Sequence, residues 1–322
     1  MNRLLEALAL SAMMIAAGAA AAQAFPSRPV RIIVPFPPGA ATDILGRLLA
    51  QKYSEAWGLP AIVENRPGAR SLQAAETAAR SPADGHTMFM GHIGTHGANP
   101  AMYAKLPYDP IRDFAPISLL VTIPNLLAVH PSVPASSVRE LIELARSRPG
   151  ALNVGSPGIG TSAHLIIALF KASTGADLTH VPFKGSVGAM QALTAGEIQV
   201  AFDTVTTLMP QARAGTVRVL AITSKQRSAL APDVATLDES GVPGFDVATW
   251  FALFVPAGTP PPAIDRLHAD TVRILRTKET VDRLSGLGMN VVGSSPGELA
   301  AHVTGEIERW GKLVREAGIR IE

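Results

Sequence analysis

Five short segments combine glycine, proline and hydroxyl-bearing residues and carry almost no charge: 35–43, 91–96, 155–162, 183–186 and 203–204. They contain the residues that could do chemistry. The first holds Phe36, Pro38, Gly39, Ala40 and Asp43, and the second Ile93, Thr95 and His96. The third holds Ser156, Gly158, Gly160, Thr161 and Ser162, the fourth Lys184 and Gly185, and the last Asp203. Such segments aim unpaired backbone N–H groups and the positive ends of helices at one space, which binds an anion without a cationic side chain. Each helix end is worth roughly 0.3–1 kcal/mol when exposed and up to ~2 when sheltered. Several ends with charge-assisted hydrogen bonds reach about −8 kcal/mol, a micromolar affinity. The plainer reading of Thr42, Thr161, Ser162 and Ser186 is that they cap helices. Asp43 can accept from a ligand hydroxyl or amine, or simply match a helix dipole. His96 and His164 are possible donors to a carboxylate, and Lys184 is the one cation in these loops.

The elements that position these loops alternate in type. Residues 30–34 read as a β-branched strand, and 42–57 as a helix with Ile44, Leu45, Leu48 and Leu49 on one face. Strands at 60–64 and 87–90 flank a helix at 72–80. A long β-rich stretch, 114–130, then breaks the rhythm. Helices at 138–146, 162–174, 186–195 and 207–214 follow, interleaved with strands at 152–155, 179–182, 199–203 and 217–223. A second β-rich run, 249–255, leads into helices at 263–276 and 296–317, the last opened by a capping box at Ser295 and Glu298. This alternation predicts an α/β protein with mostly parallel sheets. Two α/β units linked by two β-like crossings predict two lobes and a two-stranded hinge. The first lobe is expected to be discontinuous, 25–123 with 248–322, and the second to run from 124 to 247. The loops above all lie where strands end and helices begin, which is where open parallel sheets bind ligands.

Composition narrows the function classes. Twenty-eight basic and 26 acidic residues leave a net charge of +2, with no clustered basic footprint for nucleic acid. Cysteine is absent, which excludes disulfides, zinc thiolates and thiol catalysis. The N-terminus has Arg3, an apolar run from Ala7 to Ala22 and a small-x-small site at Ala22-Gln23-Ala24. That pattern predicts a secretory leader over 1–24 and a mature chain starting at Phe25.

Ordered motifs carry a resemblance. Arg28-Pro29-Val30-Arg31, Val34-Pro35-Phe36-Pro37-Pro38-Gly39 and Glu64-Asn65-Arg66-Pro67-Gly68 open it. Leu106-Pro107-Tyr108-Asp109-Pro110, Gly160-Thr161-Ser162-Ala163-His164-Leu165, Val181-Pro182-Phe183-Lys184-Gly185 and Pro256-Ala257-Gly258-Thr259-Pro260 continue it. The set resembles the Bug family, the receptors of tripartite tricarboxylate transporters, over essentially the whole mature chain. The resemblance implies a type II periplasmic binding protein fold that closes on a small carboxylate, partly through ordered waters. It also implies a periplasmic monomer whose partners are membrane transporter subunits, with no cofactor; the eight histidines are scattered, so no metal site is expected. Two departures stand out. The family commonly has glycine where Ala40 stands, and alanine there costs about 1 kcal/mol if the position needs positive φ. It also favours Gly-Gly-Asn where this chain has Arg70-Ser71-Leu72, and Arg70 is expected to favour a second carboxylate if it reaches the cleft.

Three other readings compete with this one. Gly158-Ile159-Gly160-Thr161-Ser162-Ala163 matches a dinucleotide fingerprint, but Asp177 precedes the next strand where the ribose-binding acid should end it. A secreted serine hydrolase lacks the G-x-S-x-G elbow, since the segment Asn153 to Pro157 lacks the first glycine, with Val154 in its place. A receptor that docks on a sensor protein would keep the same fold and ligand site.

Overall fold

The computed structural model describes residues 25–68 and 71–316; the expected leader and Arg70 lie outside the described residues. Strand β1 (Val30–Val34) sends Val30, Ile32 and Val34 into one core and Ile33 into the other, as the two-residue period of a strand requires. The remaining strands are β2 (Ala61–Asn65), β3 (Thr87–His92), β4 (Phe114–Val129), β5 (Leu152–Ser156), β6 (Leu178–Pro182), β7 (Val200–Thr204), β8 (Arg218–Ile222), β9 (Ala248–Pro256) and β10 (Asn290–Val291). They form one sheet in the order β2-β1-β3-β9-β4-β7-β5-β6, with β8 and β10 also paired to β4. The helices are α1 (Ala41–Trp57), α2 (Leu72–Ala79), α3 (Asn99–Met102), α4 (Val138–Ser147), α5 (Ser162–Thr174), α6 (Ser186–Thr194), α7 (Val205–Arg213), α8 (Pro261–Leu275), α9 (Lys278–Gly286) and α10 (Pro296–Glu316). Among the described residues, no helix is long and apolar enough to cross a membrane.

The long strand β4 belongs to two half-sheets. Its first part, Phe114 to Pro124, pairs with β9, and its last part, Asn125 to Val129, pairs with β7 and β8. Between them the chain passes from one α/β half to the other. Register then fixes where the strands point. In the first half, β3 lies antiparallel to β9 with His92 beside Phe251, and Trp250 lies beside Thr122 of β4. Strand β3 and its parallel neighbour β1 therefore run toward the crossing at Pro124 and Asn125. In the second half, β7 lies antiparallel to β4 with Val200 beside Val129 and Thr204 beside Asn125. It runs toward the same crossing from the opposite side, and β5 and β6 run parallel to it. The carboxyl ends of both half-sheets thus face one another across the crossing.

Buried polar groups knit the crossing together. The Asn125 side-chain amide donates to Thr249 Oγ1 at 2.9 Å, and the Thr223 hydroxyl donates to the Val247 carbonyl at 2.6 Å. The Thr223 amide donates to the Asn125 carbonyl at 2.9 Å. All three side chains are buried, so each needs these partners.

Three sequence expectations change. Residues 91–96 do not form a loop: β3 continues to His92, and Gly94–Ala98 makes a fully buried π-helical turn. Helix α9 was not expected, because it buries only Thr280 and Leu284 and shows no apolar stripe. Ala40 has φ −68° and ψ 158°, ordinary extended values, so it carries no strain; the left-handed residue of that turn is Gly39, at φ 84°. The capping box of α10 forms as expected, with the Ser295 hydroxyl accepting from the Glu298 amide at 3.2 Å and the Glu298 carboxylate accepting from the Ser295 amide at 2.8 Å.

Candidate functional site

The loops after β1 and β3 approach the crossing from the first half. Phe36 is half-buried, with its ring centroid 5.0 Å from that of His92, while Pro38 and Gly39 are exposed. Asp43 holds this turn in shape. Its Oδ2 accepts from the Gly39 amide and from Arg47 Nε, each at 2.9 Å, and its Oδ1 accepts from Asn65 at 2.8 Å. Burial alone would raise the Asp43 carboxyl, but Arg47, the Gly39 amide and Asn65 outweigh it and keep it below the usual range. Both oxygens are engaged within the protein, and Asp43 acts on the site by fixing Gly39.

His92 is a residue that sequence reasoning passed over. It is buried at the carboxyl end of β3, where burial pushes its imidazole down to about 3. The neutral ring is oriented at both nitrogens. Nδ1 accepts from the Gly94 amide at 3.0 Å, so Nε2 carries the proton and donates to Ser71 Oγ at 3.1 Å. Ser71 has φ 68°, the one positive φ outside glycine among the described residues. A non-glycine residue held there suggests a site that over-determines it. Ser71→Ala is expected to lower stability by about 1–2 kcal/mol, because the bond is lost and the left-handed backbone remains. Ser71→Gly is expected to be near neutral, since relief of about 1 kcal/mol of backbone strain offsets the lost bond. Urea unfolding of the two variants separates these outcomes.

Thr95 and His96 lie inside the core. The Thr95 hydroxyl accepts from the His92 amide at 3.1 Å, and the His96 ring stacks on Phe254 with centroids 3.9 Å apart. Burial, with His92 nearby, drives the His96 imidazole well below its ordinary value. Ile93 is fully buried beside them.

The second half supplies three loops. Ser156 is fully buried, pairs with His180 Nε2 at 2.7 Å and accepts from the Gly158 amide at 3.2 Å. Thr161 caps α5, accepting from the His164 amide and donating to the Gly158 carbonyl at 2.7 Å, while Ser162 opens the helix. The Gly185 amide donates to the Pro157 carbonyl at 2.8 Å, tying the loop before α6 to the loop after β5; Lys184 is exposed. Asp203 ends this series. Its Oδ1 accepts from the Thr204 amide at 2.7 Å, while Oδ2 is buried without a hydrogen-bond partner. Burial pushes its carboxyl up to about 6, against the Thr204 amide and the hydroxyls of Ser186, Thr207 and Thr204.

The two groups of loops touch. A Cβ added to Gly94 would stand 2.6 Å from the Gly160 carbonyl oxygen, so the first half's π-helical turn rests directly on the second half's loop before α5. Gly160 in turn lies near Asn99 and Met102 of α3. Phe36, His92, Gly94, Gly160 and Thr161 therefore form one continuous series across the crossing. The structure brings together the loops after β1, β3 and β5, whereas His96 and Thr95 face away into packing. A groove of about 490 Å³ lined by Tyr103, Leu106, Tyr108 and Asp113, among others, shares no residue with these loops. Gly94 was legible only as one more glycine, and its contact depends on a partner 66 positions away in the chain.

Relatives with known structure share this fold. A Rhodopseudomonas palustris protein solved with adipate is 37% identical, with a TM-score of 0.86 over 92% of this chain and 100% of that one. MatC from the same organism, solved with malate, is 37% identical, with a TM-score of 0.83 over 90% of this chain and 100% of that one. Protein BugT of Bordetella pertussis is 33% identical over 326 residues, covering 100% of this chain and 99% of BugT. The family model described as the tripartite tricarboxylate transporter family receptor matches residues 45–319. The family consists of periplasmic binding receptors, so the hydrolase and dehydrogenase readings fall away. With a matched model over most of its length and relatives over nearly all of it, the chain belongs to the tripartite tricarboxylate transporter receptor family.

Proposed function

We propose that this receptor captures a small dicarboxylate between its two halves and delivers it to the membrane subunits of a tripartite tricarboxylate transporter. The observation that carries the reading is the convergence of both half-sheets' carboxyl ends on the crossing at Pro124 and Asn125, where ligands of open α/β sheets bind. In this reading one lobe is 25–123 with 248–322 and the other 124–247, and the strands at the crossing are the hinge. The main-chain groups around Gly39, Ala40, Gly158, Gly160, Thr161 and Gly185 grip the anion, with Phe36, Ser156, Ser162 and Asp203 at the walls. The adipate and malate seen in similar proteins favour ligands with two carboxylates. The mature protein is exported after loss of residues 1–24 and acts as a monomer.

The test is native mass spectrometry on protein purified from its host, followed by a thermal-shift screen of mono-, di- and tricarboxylates. A ligand at 100 times its Kd should add ~2.7 kcal/mol of stability. Dicarboxylates are expected to give the largest shifts. Failure of every organic acid to raise the melting temperature would overturn the proposal.

A further inference from the structure

The carboxylate of Asp203 is the unexplained polar group of this site. It is 4% exposed, and Oδ2 accepts no hydrogen bond. Its strand ends at the crossing, since the next residue, Thr204, lies beside Asn125. The hydroxyls around it belong to Thr204 and to the first turns of α6 and α7, at Ser186 and Thr207, and both helices start on the side where the half-sheets converge. Oδ2 is thus a buried polar atom that receives no hydrogen bond of normal length, although three hydroxyls lie around the carboxylate.

Among the described residues of the second half, no cationic side chain pairs with Asp203. The flanking strands β4 and β5 and helix α6 carry no titratable side chain. Lys184, before α6, is exposed. Lys171 on α5 donates to the Leu178 carbonyl at 2.6 Å, and Arg213 on α7 donates to the Leu230 carbonyl at 3.3 Å. His164 on α5 accepts from the Gly160 amide at 3.3 Å and stacks on His180 with centroids 4.5 Å apart. Burial pushes His180 down to about 4, which keeps that ring neutral. Two carboxylates meeting in such a place cannot both stay ionised, as in any pair of acids sharing a low-dielectric site.

We propose that Asp203 binds one carboxylate of the ligand as a neutral acid, donating its proton from Oδ2, so that capture of the anion takes up one proton from solvent. The inference rests on the dicarboxylate reading above and makes Asp203 the residue that selects a terminal carboxylate over a terminal amine or hydroxyl. An ionised Asp203 would prefer those donors instead. Burial already holds the empty-site carboxyl near 6, so a second negative charge has only a short way to push it past neutrality.

Isothermal titration calorimetry with adipate and malate between pH 5.5 and 8.5 tests this. Above about pH 7 the Kd of the wild type should rise close to tenfold per pH unit, flattening toward pH 5.5. At pH 7.5, titrations in buffers of different ionisation enthalpy should show nearly one proton taken up per ligand bound. Asp203→Asn, which presents a permanent donor, should lose the pH dependence. The buffer comparison uses only the wild type, so it stands even if the variant folds poorly. Binding with a flat pH profile and no proton uptake overturns this inference and leaves the dicarboxylate reading intact. Absence of binding at every pH overturns that reading and this inference together.

Discussion

Replacing Gly94 with alanine should weaken ligand binding about 5- to 150-fold while leaving the unliganded protein folded. The new Cβ would stand 2.6 Å from both the Gly160 carbonyl oxygen and His92 Cε1, closer than real Cβ contacts come. Neither neighbour can yield cheaply. Gly160 is backbone, and the His92 ring is held by Ser71 on one side and the Gly94 amide on the other. Overpacking of this kind costs about 1–3 kcal/mol, which sets the range of affinity loss. The backbone at Gly94 is helical, not left-handed, so the substitution adds no local strain. Parting of the two halves relieves the overlap with Gly160 and opens the proposed cleft, whereas the overlap with His92 stays within the first half and lowers the variant's own melting temperature. Titration of the best ligand from the screen, with a melting curve of the ligand-free variant, checks both parts. An unchanged Kd would mean that contact between Gly94 and Gly160 has no bearing on binding.

The largest stability effect is expected at Glu306. This carboxylate is buried on α10, and its Oε2 accepts from Trp250 Nε1 and from Trp310 Nε1, each at 2.8 Å. Trp250 sits on β9 beside Thr122, two positions from Pro124, so the network fastens the last helix to a strand at the crossing. The His302 ring packs edge-on against Trp250 with centroids 4.9 Å apart. Truncation to alanine leaves two buried indole N–H groups unpaired, at about 1–3 kcal/mol each, and opens a cavity. Glu306→Ala should therefore lose about 3–5 kcal/mol. Glu306→Gln keeps one oxygen able to accept from both indoles, and its loss should be about 1 kcal/mol. Urea unfolding followed by tryptophan fluorescence reads both, with a lower midpoint at unchanged slope. Equal midpoints for the two variants would show that the carbonyl geometry is irrelevant and that the negative charge itself stabilises.

Much of the fold could be read from local signals. The β-branched run at Val30–Val34, the capped helix at Ser162–Thr174 and the capping box at Ser295 each depend on residues within a few positions, so a linear reading finds them. The loops at Pro35, Gly155 and Phe183 were visible because glycine and proline mark strand-to-helix turns wherever they occur. Residues 91–96 misled, since a glycine-rich stretch reads as a loop unless its burial is known. Their π-helical turn is held from outside, by the Tyr108 hydroxyl donating to the Thr95 carbonyl at 2.9 Å and by α10 packed across it.

The amino-acid order by itself determined the α/β alternation, the family and the set of small, uncharged loops in which an anion could be held. Tertiary structure alone decided which of their residues meet. It turned His96 into the core against Phe254, committed Asp43 to the Gly39 turn, set Gly94 on Gly160, and left Asp203 buried with one oxygen unpaired. The physical reason is that propensity and capping act over a few residues, whereas burial and contact depend on strand register between segments distant in the chain, which no local pattern encodes.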